Sequence, residues 1–452
     1  IGFVPNWEAV DKIAPQWLVM SIINLVGLFY IYYNRTIFLN AVNSILSSFL
    51  SLTYIGFILW AGASYFYAIN PTEVIVNITR QVNVLLMFLI MAILIYNLPK
   101  KTNLISWVIT LILGIELYAV IIEAQGMITS TGGISSGNLK GITANRNITA
   151  FSIAIKIPFV LFLISIQVKK YLKALLTFFI FLSLFCLSMI QSRASFIAVG
   201  IIIIGYFLVI GFGFYKNRKL SEIFKLGFLV IPLILSIFFN QIYLSEKGAD
   251  AISRAATISL STNDGSVNQR LRYYEDVLKH MSSNPIFGVG IGNWKLKSID
   301  YDSKDIVGYI VPYHAHSDFI QLGAELGIIG FFLYLGVFFW AVFFVYKLIR
   351  FSKLSKTEKV FIFFLLLSLG VYSVDANLNF PIARPQVLVV WAMIIALITS
   401  YHQNYMIEGN KIKTKWTSIF IGFSLLAVLP SIYVTNQVYK SLKGQMFLLQ
   451  DF

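Results

Sequence analysis

Two histidines and an aspartate stand at alternate positions in Tyr313-His314-Ala315-His316-Ser317-Asp318, in a chain with only four histidines. A neutral imidazole takes a hydroxyl proton near neutral pH, so His316 or His314 is suited to general-base work, with Asp318 to orient an acceptor. A hydrogen-bonded interfacial histidine is the plainer alternative. A zinc site needs three or four N, S or carboxylate ligands. His280 and His402 lie in other segments, and the single cysteine, Cys186, sits in an apolar run, so no metal is expected and no intrachain disulfide is possible.

The second group of chemical residues is cationic. Arg254, Arg270 and Arg272 share the hydrophilic stretch that ends in the histidines, and Arg80, Arg146, Arg193 and Arg384 fall at predicted span ends on the same side. A guanidinium is a bidentate donor that suits phosphate. The alternative for each is a side chain that snorkels to headgroups or meets a carboxylate. Arg193, in the very short break Gln191-Ser192-Arg193-Ala194-Ser195, has the least room to do so. Asn145 and Asn147 can cap the helix that follows Arg146, whose free N–H groups favour an anion. Lys156 and Glu116 lie inside apolar runs, where charges face a cavity or each other. They form an ion pair, or Lys156 projects toward a diphosphate. Asp375 ends a span on the side of the arginines and is placed to orient an arginine or an acceptor.

Two other motifs are set aside. Gly288-x-Gly290-x-Gly292 has no strand before it and no suitable helix after it, so close packing of a turn accounts for it better than a nucleotide loop. Ser192 and Ser317 lack the glycine-flanked setting of a serine nucleophile.

The elements that must position these residues are membrane helices. The chain is 58% hydrophobic and 12% charged, with a net charge of +15, against roughly 25% charged in an ordinary soluble domain. Twelve spans are predicted, near 17–33, 44–69, 80–97, 104–124, 148–167, 171–190, 194–214, 224–244, 327–349, 359–378, 386–403 and 415–436. Strands of a barrel would alternate in polarity over about 10 residues, so helices are expected. One set of alternate loops carries eighteen Lys and Arg, Lys411 and Lys413 among them, and the opposite short segments carry eight. Short positive loops stay in the cytoplasm, which puts the stretch 245–326 and both chain ends outside. The cations thus set orientation and do not imply nucleic acid. Within the long stretch, residues 267–281 read as an amphipathic surface helix with Val267, Leu271, Tyr274, Leu278 and Met281 on its apolar face, ended by Asn284-Pro285. Three regions follow: 1–244 with eight spans, 245–326 as an external loop, and 327–452 with four spans. No signal peptide is recognisable, and the start at Ile1 leaves room for residues ahead of it.

Several segments together are similar to the O-antigen ligase/polymerase superfamily. They are Gly141-Ile-Thr-Ala-Asn-Arg-Asn147, Ser192-Arg193-Ala194, Arg270-Leu-Arg272, Asn284-Pro-Ile-Phe-Gly-Val-Gly-Ile-Gly-Asn293 and His314-Ala-His316-Ser-Asp-Phe-Ile-Gln-Leu-Gly-Ala-Glu325-Leu-Gly-Ile-Ile-Gly330. The resemblance runs from about Ser64 to Asn377. It implies a GT-C-like, all-α polytopic membrane protein of about 12 helices with one large, partly helical periplasmic loop. It also implies an inverting, metal-independent glycosyltransferase of the bacterial inner membrane, working on the periplasmic face without a cofactor. The donor is an undecaprenyl-diphosphate-linked glycan; the acceptor is lipid A–core, a protein or a growing glycan chain. By position His316 activates the acceptor, with His314 as fallback. Arg193, Arg270 and Arg272 bind the donor diphosphate, with Arg146 and Lys156 as further candidates. Ser317 stands where the family often has Asn. A polymerase with the same chemistry, or a flippase for the lipid-linked glycan, is the alternative. An extension beyond Phe452 would suit the protein-glycosylating members.

Overall fold

A computed structural model describes residues 1–256, 265–301, 313–407 and 415–450. Lys411 and Lys413 of the loop tally lie outside them. The chain is an all-α polytopic membrane protein. Twelve helices among the described residues are long and apolar enough to cross a membrane. We number these together with one amphipathic helix. They are α1 (Ile13–Tyr33), α2 (Phe49–Phe66), α3 (Pro71–Tyr96), α4 (Lys101–Thr131), α5 (Arg146–Ile166), α6 (Lys170–Ile190), α7 (Arg193–Asn217) and α8 (Leu220–Tyr243), then α9 (Gly265–Ser283), α10 (Asp318–Phe351), α11 (Lys356–Leu378), α12 (Pro385–Met406) and α13 (Lys415–Gln450).

The helices fall into two compact units. The first holds α1–α3, α9, α10, α12 and α13. Its centre is aromatic: Trp391 of α12 meets Tyr54 of α2 edge-on at 5.7 Å and Phe338 of α10 at 5.9 Å, and Phe57 lies 5.4 Å from Tyr334. Such rings bury large areas and give tilted, specific contacts. Polar side chains tie the same helices, with Asn24 Nδ2 donating to the Asn83 carbonyl at 2.9 Å and Gln386 to Gln16.

The second unit holds α4–α8 and most of α11. Its core includes Phe162 against Phe361 at 4.8 Å and the Tyr206 hydroxyl donating to the Lys225 carbonyl at 2.9 Å. Here α5 is broken into Arg146–Ala154 and Ile157–Ile166. Pro158 has no N–H to donate, and the Lys156 N–H bonds Ile153 rather than Ser152. The Lys156 ammonium takes up the Ser152 carbonyl at 2.6 Å, Ser152 Oγ at 2.9 Å and both Glu116 oxygens at 3.0 and 2.8 Å. Of the two alternatives the sequence left open for Lys156, the ion pair is the one observed. Its side chain is 1% exposed and spends its donors inside the unit, so a diphosphate role is not carried further.

Two expectations need correction. The third helix begins at Pro71, not near residue 80, because Asn70 Oδ1 accepts the Thr72 N–H at 3.0 Å and Pro71 suits a first helical position. Its polar first turns lower local hydropathy without ending the helix, so Arg80 lies inside a helix rather than at a span end. In α9 the packed face is shifted: Met281 of the expected face packs on the core and the Tyr274 hydroxyl reaches the His316 carbonyl, but the leucines turn outward. Leu271 and Leu278 are 46% and 60% exposed, whereas Tyr273, Val277 and His280 are buried. These three recur at four- and three-residue steps and pack on the unit, so polar-tipped rings, not the leucines, form the inner face.

Candidate functional site

The site is built on a helix that breaks. In α10, Gly327 has φ 67° and ψ −171°, which separates a short segment Asp318–Leu326 from the long apolar run that follows. Such a break leaves backbone groups without helical partners, and inside a membrane protein these must be satisfied locally. The loop 285–293 does this. The Val289 N–H donates to the Ala324 carbonyl at 3.1 Å, Gly290 N–H to Glu325 at 2.9 Å, and Ile328 N–H to the Pro285 carbonyl at 2.9 Å. Trp60 Nε1 donates to the Leu326 carbonyl at 2.9 Å.

The three loop glycines are therefore packing residues. A Cβ at Gly288 would lie 2.3 Å from the Ala324 carbonyl oxygen, one at Gly290 2.4 Å from Ala68 Cβ, and one at Gly292 2.0 Å from Asn77 Nδ2. Asn293 fixes the loop to the start of α3: its Oδ1 accepts the Asn70 N–H at 2.8 Å. Lys295 pairs with Glu73 at 2.8 Å.

The histidine segment is tied to the same loop by a relay. Gly292 N–H donates to Glu325 Oε2 at 2.8 Å; Gln321 Nε2 donates to Glu325 Oε1 at 2.9 Å; Gln321 Oε1 accepts the Ala315 N–H at 3.1 Å. Ala315 is buried with Val277, Trp294 and Ala324. Anchoring the middle residue leaves the two flanking histidines to line the site. His316 has φ 57°, a left-handed conformation that an L residue adopts only under constraint. Its carbonyl accepts the Tyr274 hydroxyl at 3.2 Å, and the same hydroxyl reaches the Asn377 carbonyl at 2.8 Å. Ser317 caps α10, its hydroxyl accepting the Ile320 N–H at 3.4 Å.

Aromatic rings hold both imidazoles. Tyr273 of α9 stacks on His316 with centroids 6.2 Å apart and planes at 9°. Phe380 stacks on His314 at 4.2 Å and meets His316 edge-on at 5.6 Å. Phe380 belongs to the turn between α11 and α12, and Asp318 Oδ2 accepts the Ile382 N–H of that turn at 3.0 Å. Asp318, 1% exposed, thus positions the ring that touches both histidines.

Burial pushes His316 down to about 4, and the charge of Arg270 adds to this. Burial also takes His314 to about 4, a hydrogen bond with Gln321 opposing and the charges of Arg384, His316 and Lys295 reinforcing it. Both rings are neutral at pH 7, each able to accept a proton on one nitrogen. Their Nδ1 atoms are buried without a hydrogen-bond partner.

The first unit thus brings together His314, His316, Asp318 and, through its charge, Arg270; Arg272 lies on the same α9 helix. Arg80 and Arg384 also belong to the first unit, whereas Arg146, Lys156, Arg193, Arg254 and Asp375 belong to the second. Arg193 is the first residue of α7, after Gln191 at φ 56°. The Gln191 carbonyl accepts Arg254 Nε at 3.3 Å. Arg146 opens α5, where Asn145 Oδ1 accepts the Asn147 and Ile148 N–H groups, and reaches Ser136 Oγ at 3.5 Å. Asp375 is buried near the end of α11. Among the described residues no three His, Cys, Asp or Glu side chains converge as a metal set.

Sequence reasoning missed Phe380, Gln321 and Glu325. The short turn Asn379-Phe380-Pro381 between two spans was the available signal for the first. A Gln and a Glu one helical turn apart in an apolar run signalled the other two.

Residues 178–335 match the model of the O-antigen ligase family. A curated protein of Rickettsia bellii (strain RML369-C), named "Putative polysaccharide ligase", is 26% identical over 313 residues, which cover 66% of this chain and 70% of that protein. The family match spans α7–α9 and the histidine segment, and with the relative it supports placing this chain in the O-antigen ligase superfamily.

Proposed function

We propose that this protein is an inverting glycosyltransferase of the bacterial inner membrane. It moves a glycan from a polyprenyl-diphosphate carrier to an acceptor hydroxyl on the periplasmic face. The observation that carries the reading is the presentation of His316: a neutral, aromatic-flanked imidazole beside the charge of Arg270. The acceptor oxygen forms its bond to the anomeric carbon of the donor as the bond from that carbon to the diphosphate oxygen breaks. The electron pair leaves with the diphosphate, and the acceptor proton passes to His316. Arg270, with Arg272, meets the charge that grows on the leaving group. That anion also offsets the burial that keeps the imidazole weakly basic, so basicity rises when the donor binds. Arg193 and Arg146 enter this proposal from the sequence resemblance, not from their positions. Lipid A–core, a protein side chain or a growing glycan are the acceptors considered.

The test is a transfer assay with purified protein, one lipid-linked donor and the three acceptors in competition. His316→Ala is expected to abolish transfer in a protein that still folds. Full activity of both His316→Ala and His314→Ala removes the assignment. Movement of the lipid-linked glycan across vesicles without transfer replaces the enzyme by a transporter.

A further inference from the structure

The Tyr274 side chain joins three segments of the first unit, and the chemistry proposed above makes no use of it. Its hydroxyl, carried on α9, lies 3.2 Å from the His316 carbonyl and 2.8 Å from the Asn377 carbonyl. Both acceptors fall outside the regular helical ladder. Asn377 is in the last turn of α11, where carbonyls have no helical N–H to meet. His316 stands just ahead of Ser317, the cap of α10, and the ladder there starts with the Gln321 N–H on the Ser317 carbonyl at 2.9 Å. Burial raises the Tyr274 hydroxyl above its ordinary range, with the Arg270 charge opposing. It therefore keeps its single hydrogen at neutral pH, and the two carbonyls share it.

The contact matters because of the backbone it touches. His316 is at φ 57°, where the β-carbon crowds the carbonyl, so a histidine stays there only when its surroundings hold it. A donor fixed on the His316 carbonyl sets the direction of that carbonyl and with it the turn. The turn aims the imidazole between the Tyr273 ring, 6.2 Å away, and the edge of Phe380 at 5.6 Å. Phe380 follows Asn377 by three residues, so the second contact of the same hydroxyl steadies the segment that carries this wall of the pocket. The helix beneath has anchors of its own. Val277 packs with Trp294, Ala315 and Ala324, and His280 Nδ1 lies 3.2 Å from the Tyr301 hydroxyl.

We propose that Tyr274 is the positioning residue of His316: its hydroxyl bridges the His316 and Asn377 carbonyls and locks the left-handed turn that holds the imidazole between Tyr273 and Phe380. Without that oxygen the turn relaxes toward extended backbone and the ring swings out to water, while α9 stays seated on Val277 and His280. The catalytic consequence rests on the transferase reading; the placement of the ring is a property of the resting protein.

The test uses full-length protein in a neutral detergent with its four histidines labelled with carbon-13 at Cε1. The His316 signal is the one missing from His316→Gln. In the parent it should titrate at about 4. In Tyr274→Phe, which keeps the ring and loses one oxygen, the midpoint should rise by at least about one pH unit toward the ordinary histidine range. Tyr273→Phe is the control. It keeps the stacked ring and loses a hydroxyl that accepts Gln269 Nε2 at 2.7 Å, and its midpoint should match the parent's. An unchanged midpoint in Tyr274→Phe, or an equal rise in both variants, overturns the inference. In the transfer assay kcat of Tyr274→Phe should fall at least about tenfold, with the KM for the donor held and the acid limb raised alongside the midpoint. A raised midpoint with full transfer upholds the positioning of the ring and removes His316 as the base. A raised midpoint in a protein whose parent form transfers nothing upholds the positioning and removes the transferase reading.

Discussion

Phe380 lies flat on His314, centroids 4.2 Å apart and planes at 12°, while its edge faces His316. One ring from the turn between α11 and α12 therefore shields both imidazoles of the α10 start. Phe380→Ala opens the pocket to water and weakens the burial that lowers both histidines. We expect the transfer rate to fall by at least about tenfold, short of the roughly 10²–10⁴-fold that complete loss of a general base costs. The companion signature is an acid limb of the pH–rate profile that moves upward. A purely structural role would lower the folded fraction and leave the limb in place.

The pH dependence has a definite sign. Proton acceptance needs the neutral ring, and burial puts His316 at about 4 rather than 6.5. Activity in the free enzyme regime, read as kcat/KM, should stay level from pH 7 to about 5 and decline toward 4. Removing the positive charge of Arg270, as Arg270→Gln, takes away one cause of the depression, so the limb shifts to higher pH. A limb that stays put in Arg270→Gln contradicts the electrostatic link between these two residues.

Gly327→Ala tests the broken helix. The residue is at φ 67°, and a Cβ there would lie 2.0 Å from the Ile286 carbonyl oxygen. The conformation alone costs an L residue about 1–3 kcal/mol. The contact cannot be relieved without moving the loop that satisfies Ala324 and Glu325. A lower unfolding temperature and loss of transfer should appear together. An unfolding temperature equal to that of the parent would show that the loop shifts freely.

Lys156 and Glu116 offer a stability test away from the histidines. Glu116→Gln leaves a buried ammonium without its carboxylate and should cost about 3–5 kcal/mol. Replacing both by apolar residues, Lys156→Met with Glu116→Leu, should recover most of that loss, because no isolated charge remains. Unfolding temperatures of the three proteins decide it. If the double variant is as unstable as the single one, the pair does more than cancel its own charge.

The sequence by itself determined what depends on local composition. Twelve apolar runs of sufficient length predicted the twelve spans, most with their ends within a few residues. The long hydrophilic interruption that ends in Tyr313–Asp318 made its histidines visible in an otherwise apolar chain. The glycines at 288, 290 and 292 were legible as packing residues, since no strand and helix flanked them. Hydropathy failed where a helix start is polar: the turns from Pro71 to Arg80 read as loop, although Asn70 and Pro71 carry a cap signal.

Only the tertiary structure decided which residues meet. Asp318 holds the Ile382 N–H across 64 positions of sequence, and Phe380 reaches histidines that precede it by two helices. Gln81 Nε2 of α3 donates to the Ile382 carbonyl, 301 positions away, because α3 packs on α12. The inner face of α9 went to Tyr273, Val277 and His280 because the surface it meets is made of Trp294, Tyr301 and the histidine segment. Periodicity reports how apolar a face is. Which face is buried depends on the shape and chemistry of the partner surface, and that is assembled from segments far apart in the chain.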